Sequence, residues 1–169
     1  MDWAAWDALV RLAEATFYRV DCRGLDAAGA KHHVTVLLVR AIADLVSAHA
    51  QHLTVQVDPL RNDALVEQLS ANVDLSLQNV VWQLARYCHV YSVSLQDAWS
   101  RRSEPGWSFG DIAALADMSV IELSSRQTTT FHPVQLMRLL EYVVTQSRQA
   151  RLAKVVLEQK LRLYGVCGA

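Results

Sequence analysis

Apolar residues recur mostly every three or four positions along this chain, which is the spacing of amphipathic α-helices. The spacing predicts longer helices at about residues 2–17, 33–52, 62–90 and 133–164, and short helices after Ser94, Ser108 and Ser119. The β-branched start of the second helix, at His33–Val36, is also compatible with a strand, but its length and 3–4 spacing favour a helix. The pattern therefore predicts an all-α fold, a bundle of about four longer helices plus short ones.

Residues typical of helix ends separate these segments. Capping boxes are predicted for the pairs Ser94 with Asp97, Ser108 with Asp111, and Ser119 with Glu122. Turns or links are predicted at Ser103–Trp107 and Thr128–Thr130, and an extended segment at Val55–Val57 before Pro59. Pro133 suits the first turn of the last helix and Gly165 its end, while Asn72 and Asp74 predict a kink within the third.

The segment Asp74–Val90 is the most apolar part of the pattern, and a helix that is apolar on several sides is usually central. The last helix carries a seven-residue repeat, which fits a coiled-coil arm or packing across its own domain or a twin subunit. A single domain at 1–169 is predicted, or else a core at 1–102 with a C-terminal helical extension at 108–165.

Composition adds an expectation about partners. Hydrophobic residues make up 52% of the chain, charged residues make up 20%, and the mean hydropathy is positive. Part of the apolar surface should then be covered by a protein partner or a second copy. The formal net charge of −1 gives no attraction to nucleic acid or to an anionic membrane.

The cysteines and the N-terminus indicate the compartment. Cys22, Cys88 and Cys167 are odd in number and widely spaced, unlike a secreted disulfide framework or a CxxC metal site. The N-terminus lacks the basic start of a leader peptide, and no apolar run reaches the roughly 18–20 residues of a membrane span. We predict a cytoplasmic protein, or an organelle protein whose leader has been trimmed, with no membrane segment.

Three segments resemble the MazG-like all-α nucleoside triphosphate pyrophosphohydrolases. Asn79–Leu84 (NVVWQL) stands where that family has D-V-L-x-Y-L, and Ser92–Leu95 stands at its G-I-D-L-like turn. Leu38–Leu45 is similar to the first acidic helix of the family, L-x-x-E-E-x-x-E-L. The resemblance covers about half of the chain, and it implies a MazG-like helical architecture.

The same resemblance implies a carboxylate cluster that binds Mg²⁺ and a triphosphate, but most of its acidic positions are replaced. The replacements are Arg40 and Ala41, Leu75 and Ser76, and Asn79, while Asp44 keeps its carboxylate. A competing register at Phe131–Tyr142 resembles the aromatic lead-in and L-x-R-L-x-E-E of the family, and it retains only Glu141. Asp44, Asp74 and Asn79 are thus the residues of a degenerate pocket, with no catalytic or metal-binding residue predicted.

Two other patterns give weaker indications of function, one for DNA binding and one for metal binding. Asp111–Gln127 has the rhythm of a helix-turn-helix with its turn at Met118–Ser119, yet Arg126 is the single cation of its second helix, whereas DNA binding needs several. His49 and His52 lie one helical turn apart, but acidic or cysteine ligands at matching spacing are missing, which favours solvated histidines.

The leading hypothesis is a non-catalytic MazG-like protein, a pseudoenzyme, that self-associates or serves as a subunit of a larger assembly without a cofactor. Its candidate contact residues are Trp3, Trp6, Trp82, Leu157 and Leu161. One alternative is a divergent Mg²⁺-dependent pyrophosphohydrolase that recruits Asp44, Asp74 and either Glu67 or Glu141. A second alternative is a small helix-turn-helix DNA-binding regulator.

Overall fold

A computed structural model describes residues 1–17, 24–102, 106–125 and 130–165. Within those ranges the chain forms seven α-helices and no β-strand, so the predicted all-α fold is confirmed. The helices are α1 (Trp3–Thr16), α2 (Ala27–Gln56), α3 (Asp63–Tyr91), α4 (Gln96–Ser100), α5 (Phe109–Ser124), α6 (Pro133–Gln146) and α7 (Leu152–Tyr164).

Helix α3 is the centre of the bundle. Helices α1, α2, α6 and α7 all pack against it, and every residue from Val80 to Cys88 is buried. This run is mostly apolar on every side of the helix, with Gln83 and Arg86 as buried polar exceptions, and this apolar pattern predicted the central position. Helix α3 ends at Tyr91, where Ser92 adopts a left-handed conformation with φ 54°.

The other helices pack on α3 or on one another. Helices α2 and α3 are consecutive and form an antiparallel hairpin, and α5 packs on α2. Helix α7 packs on both α1 and α3. Apolar residues of the segment 108–165, such as Ile112, Leu139 and Val156, join those of 1–102 in one hydrophobic core.

Helix α2 differs from its predicted form in three respects. It begins at Ala27, because the Asp26 carboxylate accepts a hydrogen bond of 2.7 Å from the backbone N–H of Gly29. It continues to Gln56, so Val55 is helical rather than extended. By length and composition it could also cross a membrane, whereas no apolar run of that length was expected from the sequence. In the bundle, 39% of its most apolar 18-residue stretch is buried.

One of the three capping predictions is confirmed. Ser108 and Asp111 form the predicted capping box at the start of α5. Ser119 is instead buried inside a continuous α5 and donates to the carbonyl oxygen of Leu115 at 2.7 Å, so the predicted cap and the turn at Met118–Ser119 are wrong. Helix α4 begins without a side-chain cap, so the prediction for Ser94 is wrong as well.

Two further helix predictions differ from the structure. Helix α3 passes through Asn72 and Asp74 without a break, and the predicted last helix is two helices, α6 and α7, joined by residues 147–151. Pro133 is the first residue of α6, and Gly165 ends α7 with φ 64°, both as predicted. The turn predicted at 103–107 and the link at 128–130 fall largely outside the described residues.

Candidate interaction surface and the predicted pocket

Three of the four carboxylates named for the pyrophosphohydrolase alternative are paired with arginines. Arg148, in the connection between α6 and α7, donates from Nε to Asp74 Oδ2 at 3.0 Å and from Nη1 to Glu67 Oε1 at 3.2 Å. These hydrogen bonds, the one to Asp74 first, raise the pKa of Arg148 above its ordinary value. Asp74 and Glu67 therefore hold the connection between α6 and α7 in place and do not face an open pocket.

Glu141 of α6 is held in the same way. Its Oε1 lies 3.3 Å from Arg102 Nε, and its Oε2 lies 3.3 Å from Nη1 of Arg138, whose side chain is only 5% exposed. The Arg102 guanidinium also stacks over the Trp99 ring at 4.4 Å. This network connects the end of α4 to α6, a structural role.

The three residues of the predicted pocket do not meet at one place. Asn79 lines a cavity of about 190 Å³ between α3 and α7, and it accepts a hydrogen bond from Gln83 Nε2 at 3.3 Å. Asp44 is exposed on α2 and is not among the residues that line this cavity. In the part of the chain that the structure describes, no group of three or more His, Cys, Asp or Glu residues could hold a metal ion.

The predicted contact residues divide into buried and accessible sets. Trp6 and Trp82 are 4% and 3% exposed, and the Trp82 ring packs against Tyr164 at 6.0 Å between centroids. These two rings offer no surface to a partner in this fold. The accessible set is Trp3, whose ring meets that of Trp99 at 5.6 Å, together with the half-buried Leu157 and Leu161.

Cys88, the cysteine that lies within the described residues, has surroundings unsuited to a nucleophile. Cys88 is 2% exposed, and burial raises the pKa of its thiol to about 12, so the thiolate that would react is not formed near neutral pH. The neighbouring His89 packs its ring against Phe17 at 5.8 Å. Cys22, Cys167 and the Arg126 of the proposed DNA-binding helix lie outside the described residues.

A histidine–tyrosine pair between α2 and α6 is a further polar contact that the sequence did not predict. Nδ1 of His49 on α2 lies 2.8 Å from the hydroxyl of Tyr142 on α6, and the edge of Phe109 covers the imidazole at 5.1 Å. Burial, and then the charge of His52, lower the pKa of His49, while burial raises the pKa of Tyr142 to about 12. No local pattern connects residues so far apart in sequence.

This pair predicts that stability falls on mild acidification. Because the folded-state pKa of His49 lies below its ordinary 6.5, the unfolded chain binds more protons as the pH drops through that value, and the free energy of unfolding decreases. His49→Gln removes the titrating group and should flatten this part of the pH dependence. Urea unfolding at several pH values between about 7.5 and 5 measures it.

The matched control is His32→Gln, since His32 is exposed on the same helix. It should keep the slope of the unmodified protein. Equal slopes for the unmodified protein and His49→Gln would contradict the assignment.

Exposed apolar residues are concentrated where α2 and α3 leave the core. We call residues 46–72 the hairpin end, and none of them is buried. It carries four large apolar side chains that are exposed, Leu53, Val57, Leu60 and Leu65. Val57 and Leu60 are 78% and 91% exposed, which is unusual for a connection between packed helices.

A second exposed group lies on α5, the helix that packs on α2. Met118, Val120 and Ile121 are exposed there, Ile121 to 67%. Val120 and Ile121 border a mostly apolar cavity of about 420 Å³, whose other wall is α2 from Ala43 to Ser47. A neighbouring shallow cavity of about 380 Å³ lies farther along α2, from Ala50 to Val55, and is bordered by Leu69 of α3. These residues form the candidate interaction surface.

The comparisons with known proteins do not add a family. No family model, curated protein or solved structure matches this chain. The resemblance to the MazG-like pyrophosphohydrolases therefore stays a prediction, and the function is argued from the surface of the molecule.

Proposed function

We propose that this chain is a non-catalytic helical protein that acts through self-association, alone or as a subunit of a larger assembly. The observation that carries the proposal is the presence of two groups of exposed apolar side chains, one at the hairpin end and one on α5. Large contiguous apolar patches on a folded chain mark contact sites.

The free energy of burying apolar side chains favours a partner on this surface. Burying a side chain such as leucine or valine completely contributes about 1.5–3 kcal/mol relative to leaving it exposed. Val57, Leu60 and Ile121 are each at least two-thirds exposed, so a partner that covered them would recover much of this free energy. Val57 and Leu60 are close in sequence at the hairpin end, unlike the isolated exposed Leu25, Val134 and Leu163 elsewhere.

Neither alternative function has comparable support. The pyrophosphohydrolase hypothesis needs Asp74 and either Glu67 or Glu141, yet all three side chains are paired with arginines. The regulator hypothesis needs a turn at Met118–Ser119, where α5 is continuous. We therefore propose no second function.

Sedimentation equilibrium at micromolar concentrations should give a mass that is a multiple of 18.9 kDa. The triple variant Leu53→Ser, Val57→Ser and Leu60→Ser should shift the mass towards that of the single chain, because it removes the apolar side chains of the hairpin end. All three residues are exposed, so the fold should be retained, and circular dichroism checks this.

A second triple variant, Leu25→Ser, Val134→Ser and Leu163→Ser, is the matched control. It removes the same number of exposed apolar side chains from scattered positions, and it should leave the mass unchanged. A purified protein that sediments as a single chain at every micromolar concentration would contradict self-association.

A further inference from the structure

We propose that the partner is a second copy of this chain, and that the two copies meet along the outer faces of α2, running antiparallel about a two-fold axis. This inference rests on the proposed self-association and specifies its geometry. We define the α2 seam as Ala43, Ser47, Ala50 and Thr54. Their 4-3-4 spacing places them on one face of α2, as in the contact line of a coiled coil.

The α2 seam is shaped to receive a helix. Its four side chains are small, and none of the four residues is buried. The two cavities described above open beside it, one towards α5 and one towards α3. A second helix can approach such a face closely, because helices pack by fitting side chains into the spaces of the facing helix.

The flank of the seam on the α5 side is apolar. Leu53 lies seven residues after Val46, and Val57 lies four residues after Leu53, so all three lie on one side of the helix axis. Val46 is covered in part by α5, since it lines the cavity with Val120 and Ile121. Leu53 and Val57 have no such cover and are 37% and 78% exposed.

An antiparallel two-fold arrangement supplies that cover. With the axis between Ser47 and Ala50, the Val46 region of one copy lies beside Leu53 of the other copy. The exposed Val120 and Ile121, which border Val46, would then lie against Leu53 and Val57 of the second copy. The two exposed apolar groups of the chain are thus complementary to each other, and a two-fold axis forms this contact twice.

Charge selects the direction of the two helices. The same axis brings the exposed Arg40, near one end of the seam, next to the exposed Asp58 of the second copy, just beyond the other end. Opposite charges therefore meet at both ends of the contact. A parallel arrangement would place Arg40 against Arg40 and Asp58 against Asp58, and like charges held together are unfavourable.

Ala50→Glu tests the seam, because it places a charge at the centre of the proposed contact. We expect the dissociation constant of the dimer, measured by sedimentation equilibrium, to rise by about a hundredfold or more. Ala4→Glu is the matched control. Ala4 is exposed on α1, and the same substitution there should change the constant less than about threefold.

A disulfide experiment tests the register in a way that does not depend on weakened association. Proteins carrying Ser47→Cys and Ala50→Cys, both on a Cys22→Ser, Cys167→Ser background, are mixed and oxidised mildly. The two new thiols should form an intermolecular disulfide, found by peptide mapping, whereas Ala4→Cys mixed with Ala50→Cys should not form one.

The outcomes separate the two proposals. If the unmodified protein is oligomeric, but Ala50→Glu stays oligomeric and no 47–50 disulfide forms, the α2 seam is overturned while self-association stands. If the unmodified protein is a single chain, both fail. A mass that rises only when lipid vesicles are added would assign the exposed surface to a membrane, and it would overturn the seam.

Discussion

Replacing Leu77 by alanine should lower the free energy of unfolding by about 2–5 kcal/mol. Leu77 lies on the central helix α3 and is completely buried. Removing its three terminal carbons loses their transfer free energy and leaves a cavity that the surrounding helices cannot fill. Because four helices pack on α3, relaxation of any one of them disturbs its contacts with the others.

Urea unfolding followed by far-UV circular dichroism measures this loss, at one protein concentration for all variants, since association would add to the apparent stability. Leu75→Ala is the matched control, because Leu75 lies two residues away on the same helix and is 64% exposed. Its cost should stay within about 0.5 kcal/mol. Similar costs for the two variants would contradict the placement of α3 in the centre of the bundle.

The second large effect is expected at a buried charge. Arg138→Ala should cost about 3 kcal/mol, the lower end of the range for breaking a buried ion pair. The side chain of Arg138 is 5% exposed and pairs with Glu141, whose side chain is 16% exposed. The lower end applies because Glu141 keeps Arg102 as a partner and keeps some contact with water.

Arg148→Ala provides the comparison. Arg148 also binds carboxylates, Asp74 and Glu67, but its own side chain is 51% exposed. Ion pairs in contact with solvent contribute little, so this variant should unfold at nearly the urea concentration of the unmodified protein. If Arg148→Ala lowered the free energy of unfolding more than Arg138→Ala, burial would not be what determines the contribution of these arginine pairs to stability.

Local signals in the sequence predicted local features of the fold. The central position of α3 follows from its mostly apolar segment at residues 80–88, and the start of α6 and the end of α7 follow from Pro133 and Gly165. The capping box of Ser108 and Asp111 was predicted from its spacing. The same spacing at Ser94 and Asp97 gave no cap, although those two residues are exposed as well.

The same local signals failed where tertiary packing decided the outcome. Ser119 and Glu122 have the spacing of a capping box, but burial of Ser119 among the helices keeps α5 continuous, and the hydroxyl is satisfied by Leu115 instead. The predicted kink at Asn72 and Asp74 is absent, and the Asp74 side chain is held by Arg148. Weak helix propensity is overridden when the side chain has a tertiary partner.

The fate of the predicted pocket depended on contacts that no spacing rule describes. Arg148 and Glu67 are separated by 81 positions, and His49 and Tyr142 by 93. A carboxylate in a helix looks the same in sequence whether it faces a metal or an arginine. The sequence did predict an apolar surplus that needs a partner, but only the structure shows that this surplus is concentrated at the hairpin end and on α5.

The packing of α1 against α7 has a consequence for the order in which the chain can fold. Helices α2 and α3 are neighbours in sequence, so their hairpin closes a short loop at small entropic cost. The contact between α1 and α7 joins two helices that are far apart in sequence. During synthesis, α1 leaves the ribosome well before α7, so the packing of α1 is complete only after α7 has been made.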